Sequence, residues 1–204
     1  MSGTLSGLLL NRSPTTGQDR VIALGPGNEI LGETPPEHGG RWSMMLVGTA
    51  DRIVAVEAGE RIGATVAPVA DSGQLTLPAL LPVDFTFDPV VQGAELWVDP
   101  VELYGFPTGL LWILRTHPNN VIDLHVGQYA VTPSPLRLNL QPGKYRLSGG
   151  RLALHPVTSP AQAAQRLADV EDVDTGQQVR AANGELLLDV SRPASYRVKL
   201  EPSQ

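Results

Sequence analysis

Residues 20–57, RVIALGPGNEILGETPPEHGGRWSMMLVGTADRIVAVE, set down four short runs of β-formers with a turn signal in every gap. Arg20 to Leu24 is apolar and rich in strand-favouring residues, and Gly25-Pro26-Gly27-Asn28 follows it. Proline supplies a fixed φ and glycine a positive one, the demands of a type II turn, so the chain reverses there. Glu29 to Thr34 forms the return strand. Pro35-Pro36-Glu37-His38-Gly39-Gly40 cannot continue a ladder, because its prolines donate no hydrogen bond and its glycines lose most entropy on ordering. Trp42, Met44 and Leu46 then recur at period two and share one face, while Ile53 to Val56 reads as a strand buried on both sides. These runs imply half of a β-sandwich.

The surroundings carry a resemblance. A first strand from Leu5 to Leu10, a Thr15-Thr16-Gly17 turn, the V-x-A-L strand Val21 to Leu24, the pair Glu33-Thr34 and the step Gly40-Arg41-Trp42-Ser43-Met44 follow in order. Over residues 4–80 this resembles the carboxypeptidase regulatory-like (transthyretin-like) domain. That likeness implies a seven-stranded sandwich. It also implies a scaffold for rigid linkage, partner contact or, in some members, glycan binding, with no catalytic residues to carry over. The tyrosine of the family's A-G-x-Y-x-L step is missing, and Asp51-Arg52-Ile53 stands in its place.

The chain has 204 residues, enough for one or two domains that bury cores without staples. Gly at 21 and Pro at 18 are high, but 42% hydrophobic residues argue for many short strands rather than a disordered chain. The absence of cysteine excludes disulfides and zinc–thiolate sites. A net charge of −6 with no long basic cluster argues against nucleic acid as a partner. The opening MSGTLSGLLLNRSPTTG lacks a basic region, and its apolar run is too short for a signal peptide or a membrane span. The expectation is a protein made in the cytoplasm, with a virion as one destination, or an extracellular location for an excised piece.

Pro78 and Pro82 mark a boundary, giving domains 1–81 and 84–204. The second starts with strands Asp84 to Phe87, Ala94 to Val98 and Val101 to Tyr104. Gly109 to Arg115, GLLWILR, reads as its central strand, and Val121 to Val126 and Tyr129 to Val131 as further strands. Leu136, Leu138 and Leu140 alternate with Arg137 and Asn139, a Pro142-Gly143 turn follows, and Tyr145 and Leu147 face inward again. This reads as a hairpin. Ser159-Pro160 before Ala161 to Ala168 predicts one short connecting helix near 160–168. After the Asn183-Gly184 turn, Leu186, Leu188 and Val190 are answered by Tyr196, Val198 and Leu200. LNLQPGKYRL at 138–147 is echoed by LDVSRPASYRV at 188–198, phrasing that resembles PEGA-type β modules.

Chemistry-bearing residues are sparse. Among His38, His117, His125 and His155, only His125 has a carboxylate, Asp123, on the same strand face, and no third metal ligand converges on them, so all four read as structural. Asp172, Asp174 and Gly176 form D-x-D-x-G beside Asp169 and Glu171, a cluster hard cations such as calcium favour. The acidic residue that would end a calcium loop does not follow, and Asp174-Thr175-Gly176 reads as a β-turn. Gly25-Pro26-Gly27 joins strand to strand and lacks the helix that would hold phosphate. Trp42, Trp97 and Trp112 with Tyr104, Phe106 and Tyr129 are the aromatics that could stack on a sugar; Trp42 and Trp112 read as core, and Trp97 with the loop Tyr104-Gly105-Phe106-Pro107 as surface aromatics suited to a sugar or a protein partner.

The sequence therefore predicts an all-β protein of tandem β-sandwich (Ig-like or transthyretin-like) domains with one short helix. It predicts no catalytic, cofactor-binding or metal residue and no enzyme activity. The function expected is a structural or interaction subunit of a larger assembly such as a phage virion, as a tail or capsid-associated adaptor or decoration. Its partners would be other subunits or a second copy, not nucleic acid or membrane. The alternative is a carbohydrate-binding or spacer module of a secreted bacterial enzyme or adhesin.

Overall fold

The computed structural model describes residues 2–12, 19–116, 127–151 and 165–202. The chain divides into two units, residues 1–80 with 102–124 and residues 81–101 with 125–204. The second domain is thus interrupted: residues 102–124, read from sequence as part of it, belong to the first unit.

The first unit contains β1 (Ser2–Leu10), β2 (Arg20–Leu24), β3 (Ile30–Thr34), β4 (Arg41–Val47), β5 (Arg52–Glu57), β6 (Arg61–Pro68) and β7 (Gln74–Thr76). One sheet runs β4-β1-β7 and the other β6-β5-β2-β3. Period-two alternation turns Trp42, Met44 and Leu46 inward, where they meet Leu9, Leu75 and Leu77 and, from the second sheet, Val21, Ala23, Ile53 and Ala55. Ile22, Leu24, Val54 and Val56 on the opposite face of that sheet are also fully buried, as the unbroken apolar runs predicted. The β2–β3 turn differs from expectation. Asn28 N–H bonds back to the Gly25 carbonyl at 3.0 Å. The positive φ falls on Asn28 (66°) rather than Gly27, so the turn is not type II. A register shift between Ala23 and Leu24 takes up the extra residue.

A helix forms where the sequence placed a strand. α1 (Thr108–Thr116) occupies the GLLWILR segment read as a central strand. A short apolar run is compatible with either state, and burial separates them here: Leu110, Leu111 and Leu114 are buried while Trp112 is 65% exposed, a helical spacing. Leu110 and Leu111 donate to the Pro107 carbonyl at 3.0 and 3.1 Å, which starts the first turn. Trp112, expected in a core, is therefore a surface residue.

The second unit contains β8 (Leu81–Phe87), β9 (Ala94–Leu103), β10 (Gly127–Ala130), β11 (Leu136–Leu140), β12 (Gly143–Arg151), β13 (Gln165–Asp172), β14 (Gln177–Arg180), β15 (Glu185–Val190) and β16 (Ala194–Pro202). Its sheets run β14-β13-β16-β8-β11 and β10-β9-β12-β15. Val83, Phe85, Leu138, Leu140, Val170 and Val198 of the first sheet are buried, as are Leu96, Val98, Tyr145, Leu147 and Val190 of the second. Ala94 to Val98 and Val101 to Tyr104, read as two strands, give one strand, Ala94–Leu103, that continues through Pro100, which lies beyond the last β10 pair, Gly127 with Val98. The predicted helix over 161–168 is overturned where it can be seen. Residues 165–168 open β13, with Gln165 and Leu167 buried and Arg166 and Ala168 half-buried, and pairing with β16 outweighs the helical propensity of these four residues. Residues 161–164, like the predicted strand 121–126, lie outside the described residues.

The predicted hairpin over 136–147 is also overturned. The alternation is right, but β11 pairs with β8 and β12 with β15, so Gln141-Pro142 carries the chain from one sheet to the other. The Tyr145 hydroxyl donates to the Gln141 carbonyl at 2.7 Å, fully inside the protein, which pins the crossing in the manner of a tyrosine corner. The β15–β16 connection crosses between the same two sheets in the reverse direction, and Tyr196 follows it, buried and stacked on Phe85 with centroids 5.7 Å apart. The sequence echo between 138–147 and 188–198 thus records two sheet-to-sheet crossings with the same physical needs.

Candidate functional site

The acidic cluster at 169–174 is a structural clasp. Asp172 Oδ1 accepts the amides of Asp174 and Thr175 at 3.0 and 3.1 Å, which makes the turn, and Gly176 closes it with φ of 71°. The outward oxygens meet a cation the protein supplies: Arg192 donates to Asp172 Oδ2 at 2.5 Å and to Asp174 Oδ2 at 3.2 Å. Slight desolvation opposes the charged Asp172, but the Thr175 amide and Arg192 outweigh it and hold the carboxyl below the usual range. Arg192 sits in the β15–β16 crossing, so the β13–β14 turn grips that crossing. No group of three or more potential metal ligands converges among the described residues.

The histidines give nothing further. His38 is exposed in the turn before β4, and Asp123, His117, His125 and His155 lie outside the described residues. Gly25-Pro26-Gly27 joins β2 to β3 as predicted, with the Gly25 amide donating to the Glu29 carbonyl at 2.9 Å.

The candidate aromatics differ in exposure. Trp97 is half-buried over Gly150, where a Cβ would collide with the indole, and its Nε1 donates to Glu95 at 3.2 Å. Phe106 is buried, Tyr104 is 38% exposed and Trp112 more so. Buried carboxylates instead pair with arginines: Asp19 with Arg12 at 2.6 Å, Glu57 with Arg61 at 2.7 Å, and Asp99 with Arg146 at 2.6 Å. Arg12 also donates to the Glu37 carbonyl at 2.8 Å, tying the end of β1 to the turn that leads into β4.

That turn borders a groove of about 440 Å³ between β1 and β4. Ser6 faces Ser43 and Leu8 faces Arg41 across the strand pair, with Gly7 opposite Trp42 between them and Glu37 at the edge. Sequence reasoning missed it because Ser6, Gly7 and Ser43 carry no local signal; only the register of β1 against β4 brings them together.

The chain matches no family model. It matches no curated protein. Among solved structures it is similar to a bacterial adhesin from Mobiluncus mulieris containing intramolecular disulfide, isopeptide and ester bond cross-links. The TM-score is 0.35 at 9% identity, over 100% of this chain and 99% of that one. The shaft pilin SpaA from Lactobacillus rhamnosus GG gives 0.28 at 9% identity, over 100% and 98%. BcpA, the major pilin subunit of Bacillus cereus, gives 0.30 at 8% identity, over 100% and 71%.

Proposed function

We propose that this chain is a non-catalytic structural protein whose sandwich units transmit load in a larger protein assembly. The observation that carries the reading is the pairing of strands at the ends of each unit. In the second unit the first strand, β8, lies parallel to the last, β16, over five registered pairs from Val83–Ala194 to Phe87–Val198. Thr86 adds a side-chain bond to the Tyr196 carbonyl at 3.2 Å. In the first unit β1 lies parallel to β7 over Leu8–Gln74 to Leu10–Thr76, and Leu77 N–H donates to the Leu10 carbonyl at 3.1 Å.

Tension applied at the ends of parallel neighbours slides one strand past the other. The ladder bonds lie across that motion and share the load, whereas peeling from one end breaks them one at a time. Arrangement in shear is what a subunit in a pilus, fibre or tail needs. A virion, as a tail or capsid-associated part, is the setting we put forward. The seven strands of residues 2–76 in two sheets support the regulatory-like assignment of 4–80, which stays a proposal.

The test is single-molecule pulling on the whole chain. The protein has no cysteine, so introduced ones are unique attachment points. Handles at the two termini load β8–β16 in shear; handles at Asp88→Cys and the C-terminus load the same ladder as a zipper. The terminal geometry is expected to need a clearly higher unfolding force. Equal forces would remove the ground for the load-bearing reading.

A further inference from the structure

The edge of the second unit has a feature that the load-bearing reading does not use. β14 ends its sheet and pairs on one side, with β13, in an unshifted register from Asp172–Gln177 to Asp169–Arg180. Alternation decides which of its backbone groups that pairing consumes. The Ala181 amide donates to the Ala168 carbonyl at 2.9 Å, so the hydrogen-bonded pairs continue through Val170–Val179. The Val173 amide bonds to the Ser195 carbonyl on the other flank of β13, which fixes the same phase. The N–H and C=O groups of Gln178 and Arg180 therefore point away from the sheet, and no backbone partner meets them among the described residues. Val179, beside the buried Val170 on the core face, is still 43% exposed. β14 has no proline and no bulge, two of the devices that blunt an edge. Edge strands β3 and β4 of the first unit shield each other instead, so closely that a Cβ on Gly32 would lie 2.7 Å from the Met45 carbonyl oxygen.

An occupant of this edge must be an extended strand that sets its own bonding groups against those of Gln178 and Arg180. β14 itself meets that requirement. In a two-fold antiparallel pair centred on Val179, Gln178 of each copy faces Arg180 of the other, and each such pair exchanges two backbone bonds. The two Val179 side chains then meet across the axis and cover what each leaves exposed. Arg180 comes to lie between its own cross-strand neighbour Asp169 and a neutral glutamine, so no like charges stand directly opposite. The neighbouring registers fail. Centring on Arg180 opposes two guanidinium groups, and centring on Gln178 sets Arg180 against Gly176, which turns the chain with φ of 71°. We propose that β14 is a homotypic docking edge, at which two copies of this chain join their sheets into one.

Sedimentation equilibrium of the full chain should show reversible dimers, with a Kd on the order of 0.1 mM for so short a ladder. Gln178→Pro should weaken the dimer at least about tenfold. Its missing N–H serves no bond within the chain, so the variant should melt with the parent, which separates lost docking from lost folding. Should it not fold, Val179→Glu takes its place by setting two carboxylates face to face across the axis. The chain has no cysteine, so Val179→Cys introduces a single thiol. With oxidised glutathione as the acceptor, two such thiols are oxidised to one disulfide across the axis, and the glutathione disulfide is reduced to two thiols. Linked dimers should form at least about tenfold faster than from Val90→Cys, because docking raises the effective concentration of one thiol at the other. Val90 is the matched control, also 43% exposed. A parent that stays monomeric up to about 1 mM overturns the inference. Undiminished association of the folded Gln178→Pro or Val179→Glu, or equal cross-linking of the two cysteine variants, does so as well. None of these outcomes bears on the pulling experiment, which is made on isolated molecules.

Discussion

Replacing Tyr145 by Phe tests how the second unit holds its two sheets together, because it removes one oxygen and leaves the ring. Tyr145 is fully buried and its hydroxyl makes one hydrogen bond, 2.7 Å to the Gln141 carbonyl at the β11–β12 crossing. Losing a buried hydrogen bond costs about 1–1.5 kcal/mol at pH 7. At this chain length each kcal/mol lowers Tm by roughly 2–4 °C. The same burial, aided by the charge of Tyr129, pushes the phenol well above its ordinary value of 10.0. A folded-state pKa above the unfolded one gives stability that is complete below pH 10 and is lost as pH rises, since only the unfolded chain can ionise there. At pH 11 that loss is about 1.4 kcal/mol for the parent and absent for Tyr145→Phe. The variant should therefore be less stable at pH 7 and nearly equal to the parent at pH 11. Urea unfolding at the two pH values measures both differences. A deficit that is the same at both, or absent at pH 7, would refute the assignment of a buried, bonded phenol to this crossing.

Calcium should leave the melting temperature unchanged, because Arg192 already occupies the outward oxygens of Asp172 and Asp174; a calcium-dependent rise would mean that the clasp opens to admit the ion. Asp172, held below its usual range, adds stability above its unfolded pKa of 3.8 that is lost as pH falls, so Arg192→Ala should narrow the acid side of the stability profile. Trp42→Ala should cost about 3–5 kcal/mol through the cavity it opens beneath β4. Trp112→Ala, on the exposed side of α1, should cost less than about 1 kcal/mol. Comparable losses for the two would put Trp112 back in a core.

Local pattern and turn chemistry determined much of this protein before any tertiary contact is considered. β2, β4 and β5 fall where period-two alternation and unbroken apolar runs placed them, because burying one face or both leaves that mark on the residues themselves. The turn at 172–176 was legible for the same reason, since Asp and Gly carry their own geometry. Where a segment was short and uniformly apolar, as at 109–115, period could not separate strand from helix, and burial of Leu110, Leu111 and Leu114 decided it. The helical propensity of Gln165, Arg166, Leu167 and Ala168 yielded to the strand partner Leu200–Pro202, far along the chain, which no window of sequence contains. Which strands pair is the largest thing the residues left open. Alternation in 136–147 fixes which side chains are buried but not against what, and only the folded sheets show that Gln141-Pro142 changes sheet rather than reversing direction. The parallel β8–β16 pair and the groove between β1 and β4 have the same origin. Both depend on register between strands distant in sequence, which is set by the closing of the whole core.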